Sequence, residues 1–214
     1  ENKVLGEHAA VKRVSQNHRK EQIPAFYYRC ADFDTEYNEM KISFKGGYSL
    51  IFRAYNEGIA YRWDTDFKDS VLVRNEKAEF NFPEDYKAYL PYTTNPKGDQ
   101  YAMAFQNIYT HTSLGEADHK TVAFLPVTVD CGQGLKVTLL ESDLRSYPGM
   151  FVRTCEGEYS LNGVFAKYPS EMGVRGPRAM TYVKNRHDYI AKTEGDRSYP
   201  WRIMAITGRD EEIG

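Results

Sequence analysis

The sequence is poor in cysteine, long apolar runs and net charge, and each shortage excludes a class of protein. Its three cysteines, Cys30, Cys131 and Cys155, lie far apart without a C-x-x-C pair, which excludes a zinc ribbon and a dense disulfide scaffold. One bridge with a free thiol and three reduced thiols both remain open. No apolar run reaches the roughly 18 residues of a membrane span. The 28 basic and 30 acidic residues give a net charge of −2, so we expect neither a nucleic-acid nor a membrane partner.

Recognisable catalytic motifs are missing as well. There is no nucleophile elbow, Walker loop, dinucleotide fingerprint or H-E-x-x-H helix. The five histidines are dispersed, and the one cluster, His111 with Asp118 and His119, has no recognisable ligand spacing. A solvated loop is therefore favoured there over a transition-metal site.

Aromatic residues and period-two alternation are abundant. Aromatic side chains make up 14% of the chain, including 17 tyrosines, a content typical of extended strands. Apolar and polar residues alternate over Met40–Phe44, Tyr48–Ala54 and Ile59–Trp63, and the turns between them are Gly46-Gly47 and Asn56-Glu57-Gly58. This pattern predicts an antiparallel meander. Helical periodicity is nearly absent, so we expect one all-β domain over residues 1–214, with few or no helices.

Other segments carry weaker patterns. Residues 1–38 are charged and predict a surface connection, with a short aromatic strand from Ala25 to Arg29. Val122–Val129 predicts a single strand, and Arg175–Arg178 (RGPR) predicts a loop. A last strand at Tyr199–Thr207 lacks clean alternation, which predicts burial on both faces.

The segment Pro83–Gly98 holds three prolines and three tyrosines and predicts a long aromatic loop. Such a loop in an all-β domain is a usual place for binding. A flap that covers the end of a sandwich is an equally open interpretation.

A carboxylate ends an apolar row in the stretch LLESDLRSYPGMFV. Leu135, Val137 and Leu139 alternate with Lys136, Thr138 and Leu140, and the period of two places Glu141 on the same face. A carboxylate in that position has a partner, lies at the edge of solvent as a solvated strand end, or binds a cation. The acidic turn Glu141-Ser142-Asp143 could supply only part of a calcium shell.

Four motifs, in this order along the chain, resemble the N-terminal domain of glycoside hydrolase family 97. They are Asn38-Glu39, IFRAYNEGIAYRW at Ile51–Trp63, ESDLRSYPGM at Glu141–Met150, and PWR at Pro200–Arg202. The family includes α-glucosidases and α-galactosidases of glycan-foraging bacteria. The resemblance implies an antiparallel β-super-sandwich, similar to galactose mutarotase-like domains, that packs on a catalytic (β/α)8 barrel following it.

The resemblance also implies a site. Family enzymes bind calcium between the two domains, and Glu141 matches the one ligand that the N-terminal domain contributes. The catalytic residues lie in the barrel, and none matches a residue here. We further expect Tyr89, Tyr92 and Asp143 on the substrate side, facing an oligosaccharide or other α-glycoside.

The chain begins at Glu1 without Met or a signal peptide, and we expect an excised part of an exported, periplasmic enzyme that is inactive alone. The alternative is a stand-alone carbohydrate-binding β-sandwich without an enzymatic partner. A mutarotase-like epimerase would need a His acid and a Glu base in one cleft, which the dispersed histidines disfavour.

Overall fold

The computed structural model of the chain describes residues 3–25, 31–93, 99–102 and 105–213. These residues form β-strands, and their one helical element is the 3-10 turn Asp210–Glu212. No helix in these ranges has the length and apolarity to cross a membrane. The strands are β1 Val11–Pro24, β2 Asp32–Phe44, β3 Tyr48–Tyr55, β4 Gly58–Asp66, β5 Val71–Val73, β6 Glu79–Asn81, β7 Lys87–Leu90, β8 Thr110–Ser113, β9 Ala123–Phe124, β10 Val127–Asp130, β11 Lys136–Ser142, β12 Met150–Thr154, β13 Ser160–Phe165, β14 Pro169–Arg175, β15 Met180–Arg186, β16 Ala191–Thr193, β17 Asp196–Ser198 and β18 Trp201–Thr207.

Ten strands form the main sheet. Nine of them run in the order β1-β2-β3-β4-β18-β11-β10-β7-β8, and β17 pairs with β4 beside them. The last strand of the chain, β18, is thus inserted between β4 and β11, with antiparallel partners on both edges. The prediction that this strand is buried on both faces was only partly correct. Arg202 and Thr207 are buried, whereas Ile206 is 38% exposed.

The predicted meander is confirmed as β2, β3 and β4. Met40 pairs with Phe52, and Phe52 pairs in turn with Tyr61. Gly47, in the turn between β2 and β3, has a φ of +78°, a left-handed conformation that glycine adopts without a Cβ penalty. The alternation in the sequence therefore identified these three strands and the turns between them.

The prediction for residues 1–38 was wrong. Val11–Pro24 is a 14-residue strand that forms a long antiparallel hairpin with β2. Nearly all its side chains are exposed on both faces, so no apolar period marks it as a strand. The predicted aromatic strand from Ala25 to Arg29 lies, beyond Ala25, outside the described residues.

A second sheet of four strands, in the order β6-β13-β12-β9, packs on one part of the main sheet. The core lies between the two sheets: Val127, Val129 and Leu139 of the main sheet and Val152 and Leu161 of the second sheet have no exposed surface. Two packed antiparallel sheets form a β-sandwich. The predicted all-β, antiparallel sandwich is confirmed.

Two further segments differ from the expectation. Val122–Val129 is divided into β9 in the second sheet and β10 in the main sheet, with Pro126 between them. A proline cannot donate a ladder hydrogen bond, and the chain changes sheets at this point. The predicted long loop at Pro83–Gly98 contains the strand β7, which pairs with β8 and β10 in the main sheet. By contrast, the predicted loop at Arg175–Arg178 is confirmed as the turn of the hairpin β14–β15, a hairpin that the sequence did not predict.

Candidate functional site

Glu141 lies near the end of β11, on the side of the main sheet that faces the core. Leu139, two residues earlier, has no exposed surface, and the period of two puts both side chains on one face. The Glu141 side chain is only 12% exposed. The structure therefore excludes the solvated strand end that the sequence pattern left open.

The carboxylate of Glu141 has two partners. Arg202, its direct neighbour in register on β18, donates from Nη1 to Oε2 at 2.7 Å. The backbone N–H of Met150 donates to both oxygens, at 3.0 Å to Oε1 and 2.9 Å to Oε2. Oε2 thus accepts two hydrogen bonds and Oε1 accepts one.

Arg202 is shared with a second carboxylate, Glu76, from the segment between β5 and β6. Nε of Arg202 donates to Oε1 of Glu76 at 2.8 Å, and Nη2 donates to Oε2 at 2.7 Å. The hydroxyl of Tyr147 donates to the same Oε2 at 3.0 Å. We call Glu76, Glu141, Tyr147 and Arg202 the Arg202 cluster. The aromatic ring of Phe165 packs against the cluster, with its centre 5.1 Å from the Arg202 guanidinium carbon.

The electrostatics of the cluster follow from its burial. Burial raises the pKa of Glu141, and the hydrogen bond from Met150 and the charge of Arg202 compensate only in part. Burial by itself would lower the pKa of Arg202, but the hydrogen bonds and charge of Glu76 raise it above its ordinary value. Burial and the charge of Glu76 also raise the pKa of Tyr147 strongly. Arg202 is therefore a permanent cation, and Tyr147 is a neutral donor.

The Tyr147-Pro148-Gly149 corner connects β11 in the main sheet to β12 in the second sheet. It places the backbone N–H of Met150, the first residue of β12, within hydrogen-bond distance of Glu141. Gly149 lies close to the carboxylate, since a Cβ at this position would lie 3.2 Å from Glu141 Oε1. Glycine at this position leaves space beside Oε1, the Glu141 oxygen that accepts only one hydrogen bond.

Asp143 has different partners. Its Oδ2 lies 3.4 Å from Nη1 of Arg62, and its Oδ1 lies 3.0 Å from Nε of Arg145. Arg62 and Arg53 enclose Trp201, with guanidinium carbons 4.4 and 4.6 Å from the indole centre. Because Trp201 precedes Arg202 on β18, it points to the opposite face. The structure therefore pairs Asp143 with this arginine-tryptophan stack and not with the Arg202 cluster.

Tyr89 and Tyr92 lie apart from the Arg202 cluster. Tyr89 belongs to β7 opposite Thr128, so it faces away from the core, and it stacks on His111 at 4.4 Å. Tyr92 packs against the core, and its hydroxyl accepts a hydrogen bond from the Asp118 N–H at 2.9 Å. Their predicted role on the substrate side stays a prediction.

The described residues fit a calcium site only in part. They contain no group of three or more His, Cys, Asp or Glu side chains that could hold a metal ion. Glu141 can supply one hard oxygen, whereas calcium takes six to eight. A shell around Glu141 therefore needs further ligands from outside the described ranges. Cys131 and Cys155 are free thiols, and Cys30 lies outside those ranges.

Sequence reasoning missed three members of the cluster as site residues: Glu76, Tyr147 and Arg202. The sequence did contain a signal for Arg202, because an arginine inside the apolar strand WRIMAIT needs an anionic partner when it is buried. Glu141, the carboxylate that ends another apolar row, was a candidate for that partner. Glu76 gave no signal, since it lies in an irregular segment 126 positions from Arg202.

The comparisons with known proteins agree on one family. The family described as "Glycosyl-hydrolase 97 N-terminal" matches residues 1–214. A retaining alpha-galactosidase of Bacteroides thetaiotaomicron is 37% identical over 215 residues, which cover 98% of this chain and 32% of that protein. The chain thus spans about a third of the length of this relative.

Solved structures share the fold. A glycoside hydrolase family 97 enzyme from Pseudoalteromonas sp. strain K8, in complex with acarbose, superposes with a TM-score of 0.70 at 17% identity, covering 94% of this chain and 28% of that one. A beta-arabinopyranosidase gives a TM-score of 0.71 at 16% identity, covering 94% of this chain and 32% of that one. At these identities the likeness shows the fold alone.

Proposed function

This chain belongs to the N-terminal domains of glycoside hydrolase family 97, and from that premise we propose that it is the non-catalytic domain of an exo-acting α-glycosidase. In this proposal the domain packs on a catalytic barrel and contributes Glu141 to an active-site calcium ion. The substrates are α-glucosides or α-galactosides. The 37% identical relative, named as a retaining alpha-galactosidase, supports the substrate class.

The proposal for calcium rests on one observation, the chemical state of Glu141. This carboxylate is 12% exposed, is fixed by Met150 and Arg202, and retains an oxygen with a single hydrogen bond. A preorganised carboxylate of this kind suits a hard cation, because little rearrangement is needed to bind it.

The residues of this chain would act by positioning. Arg202 and the Met150 N–H fix the rotamer of Glu141, and the absence of a side chain at Gly149 leaves room beside Oε1. Bound calcium supplies a positive charge that orients and polarises substrate or water oxygens. No residue of the described chain is assigned to proton transfer or nucleophilic attack.

The test uses the full-length enzyme with Glu141→Gln. Calcium affinity, measured by competition with a chelator, should fall by a factor of about 10 or more, and hydrolysis of aryl α-galactosides or α-glucosides should slow. Glu39→Gln is the matched control, because Glu39 is 17% exposed and pairs with Arg53 at 2.9 Å on the other face of the same sheet. Unchanged calcium affinity in Glu141→Gln would refute the role of Glu141.

A second measurement separates this proposal from a stand-alone sugar-binding module. Residues 1–214 alone should release no sugar from these substrates, whereas the full-length enzyme should be active and should lose activity with chelator. Hydrolysis by the segment alone would contradict the non-catalytic assignment.

A further inference from the structure

The Arg202 cluster contains more negative than positive charge. Its charged members are the carboxylates of Glu76 and Glu141 and the guanidinium of Arg202, and the hydroxyl of Tyr147 is neutral. The side chains of Arg202, Glu76 and Glu141 are only 1%, 11% and 12% exposed. One negative charge is thus left in surroundings that water screens poorly.

Arg202 is not shared equally between the two carboxylates. Glu76 takes the paired donors Nε and Nη2, at 2.8 and 2.7 Å, in the bidentate geometry that guanidinium and carboxylate prefer. Glu141 receives one bond, from Nη1 at 2.7 Å. Glu76 therefore holds Arg202 in place and takes the larger share of its charge.

Tyr147 reinforces this arrangement. Its hydroxyl donates to Oε2 of Glu76 at 3.0 Å, and its ring packs edge-on against Phe165 and Tyr199 at 6.3 and 5.5 Å. Tyr147 is thus a third donor to the Glu76 carboxylate, beside Nε and Nη2 of Arg202. Without the charge of Glu76, the same guanidinium would neutralise Glu141 alone.

We propose that Glu76 is a positioning residue that holds Arg202 and so leaves Glu141 with the uncompensated negative charge that attracts a divalent cation. The inference rests on the proposed function, and it adds that calcium affinity is set by a residue that does not touch the ion. An ordinary structural ion pair would stabilise the fold without affecting cation binding.

The test compares Glu76→Gln with wild type in the full-length enzyme. Glutamine keeps the shape and can still accept from Arg202, but the net charge of the cluster rises from −1 to 0. Calcium binding, measured by chelator competition and by isothermal titration calorimetry, should weaken by a factor of about 10 to 100, the usual range for residues behind a metal ligand.

Glu39→Gln is again the control. It removes one carboxylate of similar burial, but β2 lies four strands from β11, or roughly 19 Å at the usual strand spacing. Its calcium affinity should stay within about a factor of two of wild type. Equal affinities for wild type, Glu76→Gln and Glu39→Gln would overturn the inference.

Charge-preserving variants separate charge from structure. Glu76→Asp and Tyr147→Phe both weaken the hydrogen bonds of the cluster yet keep its net charge. Each folded variant should therefore lose much less calcium affinity than Glu76→Gln, even with a lower melting temperature. If Glu76→Gln does not fold, these two variants can still refute the inference, because the inference requires both of them to keep calcium binding. Loss of the calcium-induced rise in melting temperature in both variants would show that packing controls binding, and would overturn the inference.

The same titrations include Glu141→Gln, which distinguishes the two proposals. If Glu141→Gln weakens binding and Glu76→Gln does not, the role of Glu76 is wrong and the proposed function stands. If Glu141→Gln leaves binding unchanged, the proposed function itself fails.

Discussion

Arg202 and Glu76 form a two-point ion pair across 126 positions of sequence, with donor–acceptor distances of 2.8 and 2.7 Å. The pair connects the central strand of the main sheet to the irregular segment between β5 and β6. Because Arg202 also binds Glu141, a single buried guanidinium fixes three distant parts of the chain. The stability of the sandwich and the geometry of the candidate ligand therefore depend on the same side chain.

Arg202→Met should be strongly destabilising. The change leaves the buried carboxylates of Glu76 and Glu141 without their cation, and removal of one partner of a buried ion pair typically costs about 3–5 kcal/mol. Urea denaturation followed by circular dichroism measures the loss. Arg209→Met is the control, because Arg209 is 66% exposed and its ion pair should contribute about 0–1 kcal/mol. Similar losses in both variants would contradict the structural role of Arg202.

Tyr147→Phe isolates one hydrogen bond. The ring contacts with Phe165 and Tyr199 are retained, but Glu76 loses a neutral donor. A hydrogen bond to a charged group contributes about 1.5–3 kcal/mol, and the variant should lose free energy of unfolding in this range. Tyr159→Phe, at a side chain that is 43% exposed, should change it by less than about 0.5 kcal/mol.

The sequence predicted those parts of the fold in which one face of a strand is buried. The alternation over β2, β3 and β4 and the turn at Gly46-Gly47 identified the meander, and the apolar row ending at Glu141 identified the strand of the candidate site. By contrast, β1 is exposed on both faces. Burial did not select its residues, so no period was present to be recognised.

The candidate site was predictable only through Glu141 and Arg202, the two charged members that lie in apolar strands. Glu141 follows Leu139 by two residues, and its position in an apolar row required an explanation. Glu76 lies in an irregular segment. Tyr147 lies in the Tyr-Pro-Gly turn, and the sequence predicted this turn but no contact of the tyrosine hydroxyl. Their contacts arise from tertiary packing of segments distant in sequence, which a single sequence does not encode locally.

Glu141 should make stability fall as pH rises. Burial raises its pKa above the ordinary value of 4.5, so the folded state binds more protons than the unfolded state between 4.5 and the folded pKa. The contribution of this group to the free energy of unfolding is therefore unfavourable above that window and disappears below it.

The measurement compares wild type with Glu141→Gln from pH 4 to pH 7 in calcium-free buffer. Glutamine does not titrate, so the free energy of unfolding of the variant should improve relative to wild type as pH rises through the window. Any loss of the Arg202 bond is a pH-independent offset over this range. A difference between the two proteins that does not change with pH would contradict the raised pKa.

Gly149→Ala tests the space beside the Glu141 carboxylate. The backbone of Gly149 does not have a positive φ, so alanine brings no backbone strain, and the effect is steric. Its Cβ would lie 3.2 Å from Oε1 of Glu141, which forces the carboxylate or the corner to move by a few tenths of an ångström. The hydrogen bond from the Met150 N–H should lengthen, and overpacking of this kind costs about 1–3 kcal/mol.

Gly208→Ala is the matched control for this steric effect. A Cβ at Gly208 meets nothing within 4 Å, and its φ is likewise not positive, so alanine there should be neutral or stabilise by up to about 1 kcal/mol through the unfolded state. Thermal unfolding of both variants gives the stability difference. In the full-length enzyme, Gly149→Ala should also weaken calcium binding, because the displaced carboxylate is the proposed ligand. Equal stability and equal calcium affinity in the two variants would show that the carboxylate is free to move, and that its fixed position does not determine binding.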